Sequence, residues 1–515
     1  MAAMRTFHAR FRALATAVVV ITASSLLSSA PISAHAALGR ATPRRAAPVE
    51  LKVMTFNIEY GGTVVSFHSI VEGVRVADAD VVGLEEGFGN VDRLAKTVGY
   101  PYFDERLQVI SRYPLIDPAG ADGLYLFVQI APGEVVAIGN VHLPAGPYSP
   151  NLTRRGAPRS QILEIERRVR VPAVSPSVLA LSDLATQDIP VFLTGDFNTP
   201  SLHDWTPETV GLRPQITYPV RWPVSAFVEK AGFVDSWHEA HPDPVTDPGL
   251  TWPSERPDVD VGWNPGPHAP QDRIDYVYAA GPAQTLRSEL VGEPGGPGVT
   301  LSVDHWGTDH RAVVSTFSVT PGVPPTFVSV GSRLVGVGDD QQVTFHATGG
   351  PDERVVVIPA NGDPAAPLIE TSTDGATDGT IAMSTDGWEP GTYVALLLDG
   401  DQVRSLTRFW VSLPGAKPQL LLSKRVFSTG ESIRVWWANT PGERWDWIGV
   451  YERGADPNVA SYLMWFYTYA SIQGTGVLDA DSEGPWPLPA GKYSVYLLAD
   501  DGYRILARSW FTVRD

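Results

Sequence analysis

V-F-L-T-G-D-F-N-T-P, residues Val191 to Pro200, opens as a short apolar run and closes on paired polar groups. Val191, Phe192 and Leu193 suit a buried strand, Gly195 frees the backbone, and Asp196 and Asn198 follow where the strand ends. On an extended chain residues i and i+2 point the same way, so the Asp196 carboxylate and the Asn198 amide face one small site. A carboxylate beside an amide can bind a hard divalent cation and also grip a phosphate oxygen. The plain alternative is an Asx-rich turn that ends a strand. The surrounding chain has to decide between them.

Outward from that stretch, strand and helix signals alternate. Strands are expected at 51–57, 80–84, 108–111, 123–130, 134–142, 191–194, 274–279 and 312–317. Helices are expected at 66–76 and at 163–171, the latter with a charged face of Glu164, Arg167 and Arg168. The Trp-, Pro- and Asp-rich stretch 222–270 reads as long surface loops. These elements outline one large layered α/β domain. P-G-V-P-P at 321–325 reads as a stiff linker. Beyond it come short alternating strands with almost no helical periodicity, the pattern of β-sandwiches. An internal repeat lies there: G-T-Y-V-A-L-L-L-D-G-D-Q-V-R from Gly391 returns as G-K-Y-S-V-Y-L-L-A-D-D-G-Y-R from Gly491, and Trp410 and Trp510 close the two copies. Two tandem modules are expected, divided near 414–418.

Of 515 residues, 43% are hydrophobic and 19% charged, a globular balance. Residues 1–36 have the form of a secretory signal peptide. Arg5, Arg10 and Arg12 precede an apolar core from Ala13 to Leu27, and Ala34-His35-Ala36 supplies a small-x-small cleavage pattern. No other stretch approaches a transmembrane span, so the expectation is a secreted, extracellular, monomeric mature chain. Cysteine is absent, which excludes thiol catalysis and thiolate metal sites and leaves packed cores to hold an exported protein together. The net charge of −18 disfavours broad nucleic-acid binding. It does not exclude a nuclease, because a bound cation and local arginines can override the global field.

Polar residues of one chemical type recur where the expected strands end: Asn57 in F-N-I, Glu86 in L-x-E, His142 in N-V-H-L, Asp196 and Asn198 in G-D-F-N, Asp275 in R-I-D-Y, and Asp309-His310 in D-H-R-A-V. Each alone has an ordinary structural reading as a turn, a solvated face, a core histidine or a cap. Taken with S-R-Y-P at 111–114, their order and spacing resemble the endonuclease/exonuclease/phosphatase superfamily, the deoxyribonuclease I-like metallohydrolases, over about residues 50–318. The resemblance implies an α+β fold at 49–319, a four-layer α/β sandwich of two mixed β-sheets with flanking helices. Two β-sandwich (Ig-like) modules, 326–413 and 418–515, would follow it. It also implies roles. Glu86 matches a direct cation ligand and Asn57 a metal-site position, while Asp309 matches a further metal or histidine-orienting carboxylate. His142 and His310 match histidines flanking a scissile phosphate. Asp196 and Asn198 match the pair that orients water and phosphate, and Asp275 matches the acid that holds the last histidine.

The chemistry is coherent in its own terms. Phosphoester hydrolysis needs an oriented water, a cation against the developing charge, and a proton donor for the leaving oxygen. Oxygen ligands suit Mg²⁺, with Mn²⁺ or Ca²⁺ as alternatives. Three choices stay open in the sequence. Glu85 adjoins Glu86, and the cation is assigned to Glu86. Asp272 competes with Asp275 for His310. Asp304-His305 duplicates Asp309-His310, and the second pair is preferred because a buried strand follows it. Tyr102, Arg106 and Arg112 are candidates for a phosphate contact, with Tyr102 and Arg112 carried as substrate-binding residues. Arg154-Arg155 and Trp237, Trp252 and Trp263 read better as loop surface and packing than as a substrate entrance. In the last module Trp436, Trp437, Trp445, Trp447 and Trp465 read as core first, and as a face for a surface polymer or lipid head group second. The leading function is a secreted, divalent-metal-dependent phosphoester hydrolase with substrate class open: nucleic acid, phospholipid or small phosphoester. The alternative is a secreted binding or adhesion protein on a hydrolase scaffold.

Overall fold

Strand β1 (Val49–Asn57) is the centre of the first sheet, and its side chains alternate between two cores. Leu51 and Val53 point into one, Met54 and Phe56 into the other, as a period of two requires. The computed structural model describes residues 47–515 apart from 262–263, 265–268, 444, 459, 470, 481, 483 and 500–501. The signal-like segment and Trp263 lie outside the described residues.

In chain order β1 is followed by the short turn α1 (Glu59–Gly62), α2 (Phe67–Ala77), β2 (Val81–Glu85), α3 (Val91–Val98), β3 (Tyr102–Asp104), β4 (Val109–Ser111) and β5 (Leu115–Ile116). Then come β6 (Leu126–Ala131), β7 (Glu134–His142), α4 (Ser149–Arg154), α5 (Arg159–Ala185), β8 (Val191–Asp196), α6 (Pro223–Lys230), β9 (Val234–Asp235) and α7 (Ser236–Ala240). The remaining strands here are β10 (Asp275–Ala280), β11 (Ala283–Gly292), β12 (Val299–Ser302) and β13 (Ala312–Val319). They form a seven-stranded sheet ordered β12-β11-β13-β1-β2-β4-β3 and a six-stranded sheet ordered β5-β6-β7-β8-β10-β9.

One core mixes Leu51, Val53 and Val81 of the first sheet with Val136, Ile138 and Phe192 of the second, so these faces pack on each other. A second core places α2 and α3 residues Ile70, Val74 and Leu94 on the other face of the first sheet. A third places Val174, Val178 and Leu181 of α5 and Val224 and Val228 of α6 on the other face of the second. Burying each such aliphatic side chain contributes roughly 1.5–3 kcal/mol before entropy is counted.

Strand direction decides where the polar residues go. β1 runs parallel to β2 and antiparallel to β13, and β7 runs parallel to β8, which is antiparallel to β10. The ends of β1, β2, β7 and β8 and the starts of β10 and β13 therefore share one edge of the two sheets. The sheets are tied together close to that edge, where Asn140 Nδ2 donates to the Leu84 carbonyl (2.7 Å) and Thr194 Oγ1 donates to Asn140 Oδ1 (2.7 Å).

Three expectations change. The helix read at 163–171 runs as α5 for 27 residues through Pro172 and Pro176. Each proline removes one backbone N–H, but the buried stripe of Val174, Val178, Leu181 and Leu184 holds the helix on the sheet. The stretch 222–270 is not all surface: Trp222 is buried edge-on against Trp205 at 4.9 Å, and Trp237 is buried with its indole donating to the Asp247 carbonyl. The linker is docked, since Gly322 and Val135 exchange both backbone hydrogen bonds (2.8 and 2.9 Å).

From Phe327 onward the chain is strand-rich. Its strands form a three-stranded and a five-stranded sheet up to Ser412, and the same pair of sheets again from Gln419. Each pair encloses its own core, one around Val343, Val355, Leu397 and Phe409, the next around Val435, Ile448, Leu497 and Phe511. Of the module tryptophans, Trp437 and Trp447 are buried and Trp436 is exposed, as alternation along Ile433–Ala438 demands. The first pair is fastened to the two preceding sheets by Asp117, which meets Arg333 at 2.9 Å and accepts Ser329 Oγ at its carbonyl at 2.6 Å.

Candidate active site

Asp196 ends β8, almost wholly buried, and it is the group on which the others converge. Gly195 before it has no room for a side chain: a Cβ there would lie 2.1 Å from the Val141 carbonyl of β7. Asp196 Oδ1 accepts the Asn198 backbone N–H (2.9 Å), and Asn198 Nδ2 donates to the Leu143 carbonyl (3.0 Å). That closes the turn and pins the residue after His142. On its other oxygen, Oδ2, Asp196 accepts Asn57 Nδ2 at 3.1 Å and faces His142 Nε2 at 3.5 Å and His310 Nε2 at 3.6 Å.

Sheet register explains the convergence. His142 and Asp275 both lie opposite Asp196, on either side of it, in the pairings of β7 and β10 with β8. His310 precedes β13 and turns its Nδ1 to the Asp275 carboxylate, 3.0 and 3.1 Å from the two oxygens. Asp272 is occupied elsewhere, accepting Tyr148 Oη (3.0 Å) and Gln215 Nε2 (3.1 Å), so Asp275 is the partner of His310. The Asp304-His305 pair is exposed, and Asp309-His310 is the one in the cluster.

Burial pulls the His310 pKa down, but the carboxylates of Asp275, Asp196 and Asp309, with the Asp275 hydrogen bond, override it and hold the imidazolium well above the ordinary histidine range. Asp196 is raised above the usual carboxylate range by burial and by the charge of Asp275, against the pull of His310 and His142. Glu85, fully buried on Thr55 Oγ1, is raised well above its ordinary value by burial and then by Asp275 and Asp196.

Glu86 is half-buried and has left-handed backbone (φ +58°), with Oε2 accepting the Tyr60 N–H at 2.9 Å and Oε1 facing Asn57 Nδ2 at 3.5 Å. Asn57 turns its oxygen to the Glu59 N–H (3.1 Å) and its Nδ2 to Asp196 (3.1 Å) and Glu86 (3.5 Å). Asp309 lies beside the cluster, its Oδ1 3.9 Å from His310 Nε2, while Oδ2 accepts Trp252 Nε1 at 3.1 Å.

Tyr102 and Arg112 do not join this cluster. β4 runs antiparallel to β2, pairing Val81 with Ser111, and β3 pairs Tyr102 with Ser111. Both residues therefore sit at the start of β2, the end opposite Glu85, and Arg112 there pairs with Asp78 and Asp80. Arg106 is enclosed between Asp104 and Asp117.

Glu59 and Arg256 went unread in the sequence. The buried Glu59 accepts the Asp309 N–H (3.0 Å) and Arg256 Nη2 (2.8 Å), tying the chain two residues after Asn57 to the residue before His310. The signal was present in N-I-E, which has the same i, i+2 spacing as D-F-N. Arg256 carried no such signal, because it comes from an irregular loop.

The fit to a divalent cation can be judged from these donors. The ligand atoms of Asp196, Asp275 and His310 lie within 4.8 Å of one another, a possible metal site. The carboxylates of Asp275 and Asp196 favour the protonated form of His310, and a bound cation would compete with that proton for a ring nitrogen. Glu86, half-buried, offers carboxylate oxygens of the kind Mg²⁺ takes.

The sequence profile of the Endonuclease/Exonuclease/phosphatase family matches residues 54–310, the span from β1 to His310. An uncharacterized protein of Caenorhabditis elegans is 31% identical over 255 residues, which is 45% of this chain and 79% of that one. The chain belongs to the endonuclease/exonuclease/phosphatase family. Among solved structures, an endonuclease/exonuclease/phosphatase from Beutenbergia cavernae DSM 12333 is 16% identical, covering 71% of this chain and all (100%) of its own, with a TM-score of 0.33. A family protein from Bacteroides thetaiotaomicron is 14% identical, covering 53% and 96%, also at 0.33. Family members are phosphoester hydrolases that use a divalent metal, and the buried Asp-Asp-His group of this chain lies inside the matched span. Among the described residues no helix is long and apolar enough to cross a membrane.

Proposed function

We propose that this chain is a secreted, divalent-cation-dependent phosphoester hydrolase whose water-activating group is Asp196. The observation that carries the reading is the Asp196 carboxylate held between Asn57, His142 and His310, with Asp275 behind His310. Asp196 accepts a proton from a water and orients it towards phosphorus. His310, kept charged by Asp275, binds the phosphate oxygens, and His142 on the more open side protonates the leaving oxygen. Asn57 fixes Asp196 and Glu86 in register, and Asn198 fixes the His142-Leu143 backbone. Glu86, with Asp309 nearby, would hold Mg²⁺, which when bound supplies positive charge against the developing phosphorane. We read residues 49–319 as a four-layer α/β sandwich, and 326–413 and 418–515 as Ig-like modules that meet a surface polymer or lipid head group.

The test is turnover of plasmid DNA, RNA, bis-p-nitrophenyl phosphate and sphingomyelin, with Mg²⁺ or chelator, beside Asp196→Ala. Loss of about 10²–10⁴ in rate on substitution is expected. Activity that survives both chelator and Asp196→Ala refutes the mechanism. No turnover of any of the four favours the binding-protein alternative. Export is tested separately: recovery of a chain that still begins at Met1 from the culture medium contradicts signal removal.

A further inference from the structure

The turn that follows β2 is unusual in its backbone. Glu86 (φ +58°), Phe88 (φ +44°) and Gly89 (φ +77°) all occupy the left-handed region, and two of them carry side chains. Side-chain-bearing residues stay there only where the surroundings over-determine them. Part of the restraint is local. The Gly61 N–H reaches the Glu86 carbonyl (2.7 Å), the Gly87 N–H reaches Gln108 Oε1 (2.7 Å), and Asn90 Nδ2 reaches the Gly61 carbonyl (2.9 Å).

The rest comes from the last module. A Cβ on Gly502 would lie 3.0 Å from the Phe88 ring, and one on Gly89 would lie 3.4 Å from the Arg504 guanidinium. Phe88 in turn stands edge-on to Tyr60 (4.9 Å, 84°), the residue whose N–H holds Glu86 Oε2. The module side is itself braced, since Trp447 Nε1 donates to the Gly502 carbonyl (2.9 Å) and Trp447 meets Tyr503 edge-on at 5.9 Å.

The internal repeat shows that this contact is particular to one copy. In the first copy the hairpin closes at Asp399 opposite Gln402, so Val403 and Arg404 already lie in the strand Gln402–Ser412. In the second it closes at Leu498 opposite Ile505, and the strand Ile505–Arg514 starts only there. Gly502, Tyr503 and Arg504 are left outside the ladder. Gln402, the residue aligned with Gly502, carries a side chain whose Cβ at 502 would crowd the Phe88 ring at 3.0 Å.

We propose that the C-terminal module is a positioning element of the active site: Gly502, Tyr503 and Arg504 clamp the Glu86–Gly89 turn through Phe88 and so hold the Glu86 carboxylate where a divalent cation binds. The inference rests on the reading of Glu86 as a cation ligand. Gly502→Gln, which restores the residue of the sister repeat, and Phe88→Ala remove the contact from its two sides in the full-length protein. Mn²⁺ binding, followed by the loss of its free paramagnetic signal, should weaken about 10- to 100-fold in each, as loss of a supporting partner around a metal ligand does. The double variant should be no worse than the weaker single, because both act through one contact. Mn²⁺ affinity within about 2-fold of the parent in both variants, while Glu86→Gln loses binding, would overturn the clamp.

Hydrogen exchange at the Gly87 and Phe88 amides, read without metal, separates the two ideas. If Glu86→Gln binds Mn²⁺ like the parent, the cation reading fails, and the positioning proposal fails with it. The clamp contact then stands as a structural one alone if exchange is faster in Gly502→Gln. Unchanged exchange in a folded Gly502→Gln overturns the clamp whatever the metal does.

Discussion

Asp275→Asn tests the electrostatics of the site most directly. In the parent, one His310 Nδ1–H is shared between both Asp275 oxygens at 3.0 and 3.1 Å, in a place where neither residue is solvated. Burial works against the imidazolium, and carboxylates led by Asp275 override it. An amide of the same shape keeps at most one oxygen acceptor and loses the charge. A hydrogen bond to a charged partner is worth about 1.5–3 kcal/mol, so the ratio of charged to neutral His310 should fall about 10- to 150-fold. If His310 acts as a cation, the loss of kcat/KM is greatest on the alkaline side of the profile, where it approaches the about 10- to 150-fold change in that ratio.

The direction in pH follows from signs. A group needed charged fails as pH rises through its raised pKa, so weakening that raise brings the alkaline limb of the pH–rate profile to lower pH. Asp196 is needed ionised, and it fails as pH falls through its own raised pKa. Asp275 is the charge that, after burial, raises it, so the acid limb also moves to lower pH. The profile should translate towards acid, not merely shrink. The assay is kcat/KM for bis-p-nitrophenyl phosphate across pH at saturating Mg²⁺. An alkaline limb that stays in place, with a loss under about 3-fold, refutes the role given to Asp275.

Other substitutions have equally definite outcomes. Gly195→Ala forces a Cβ to 2.1 Å from the Val141 carbonyl and should cost at least about 3 kcal/mol in urea unfolding, whereas Gly391→Ala, with nothing within 4 Å, should be neutral or stabilise by about 0.4–1 kcal/mol. Arg256→Ala leaves the buried Glu59 carboxylate without its guanidinium and should destabilise by about 3–5 kcal/mol, seen as a lowered thermal midpoint that Glu59→Gln in the same chain partly restores. Arg112→Ala should leave kcat/KM unchanged and cost no more than about 1 kcal/mol, because its ion pairs are exposed and at the far end of β2; a large loss of activity would return it to the site.

What the sequence disclosed was whatever a short-range period can encode. The apolar runs at β1, β2, β7 and β8 announced buried strands, and each ended in the polar residue that the sheet edge then gathered. Parallel strands with the same polarity at their ends bring those ends together, so Asn57, Glu86, His142 and Asp196 were legible as a set. Arg112 and Tyr102 misled because proximity in sequence to Glu86 says nothing about direction, and the antiparallel pairing of β4 with β2 reversed it. Glu59–Arg256, a contact across 197 residues from an irregular loop, had no period to announce it. Nor could alternation show that α5 would run through two prolines. The stripe that holds it is tertiary.

The opening choice between a turn and a site turns out to be no choice. Asp196 Oδ1 closes an Asx turn on the Asn198 N–H, and the same carboxylate presents Oδ2 to Asn57, His142 and His310. One oxygen builds the backbone so that the other can be chemically exact in place. The crowding this creates has a consequence for charge. Asp196, Asp275, Glu85 and Asp309 all act on His310 or on one another within a buried region. Like carboxylates at such range cannot all stay ionised without compensation. Burial and the charges of Asp275 and Asp196 favour the proton on Glu85, and the surrounding carboxylates favour the proton on His310. Arg256 neutralises Glu59 from the far side. Among the described residues Glu86, the half-buried acid of this group, accepts from amide donors, Asn57 and the Tyr60 backbone. On the proposed reading Glu86 would hold the cation, while His310 supplies positive charge to the Asp-Asp-His group.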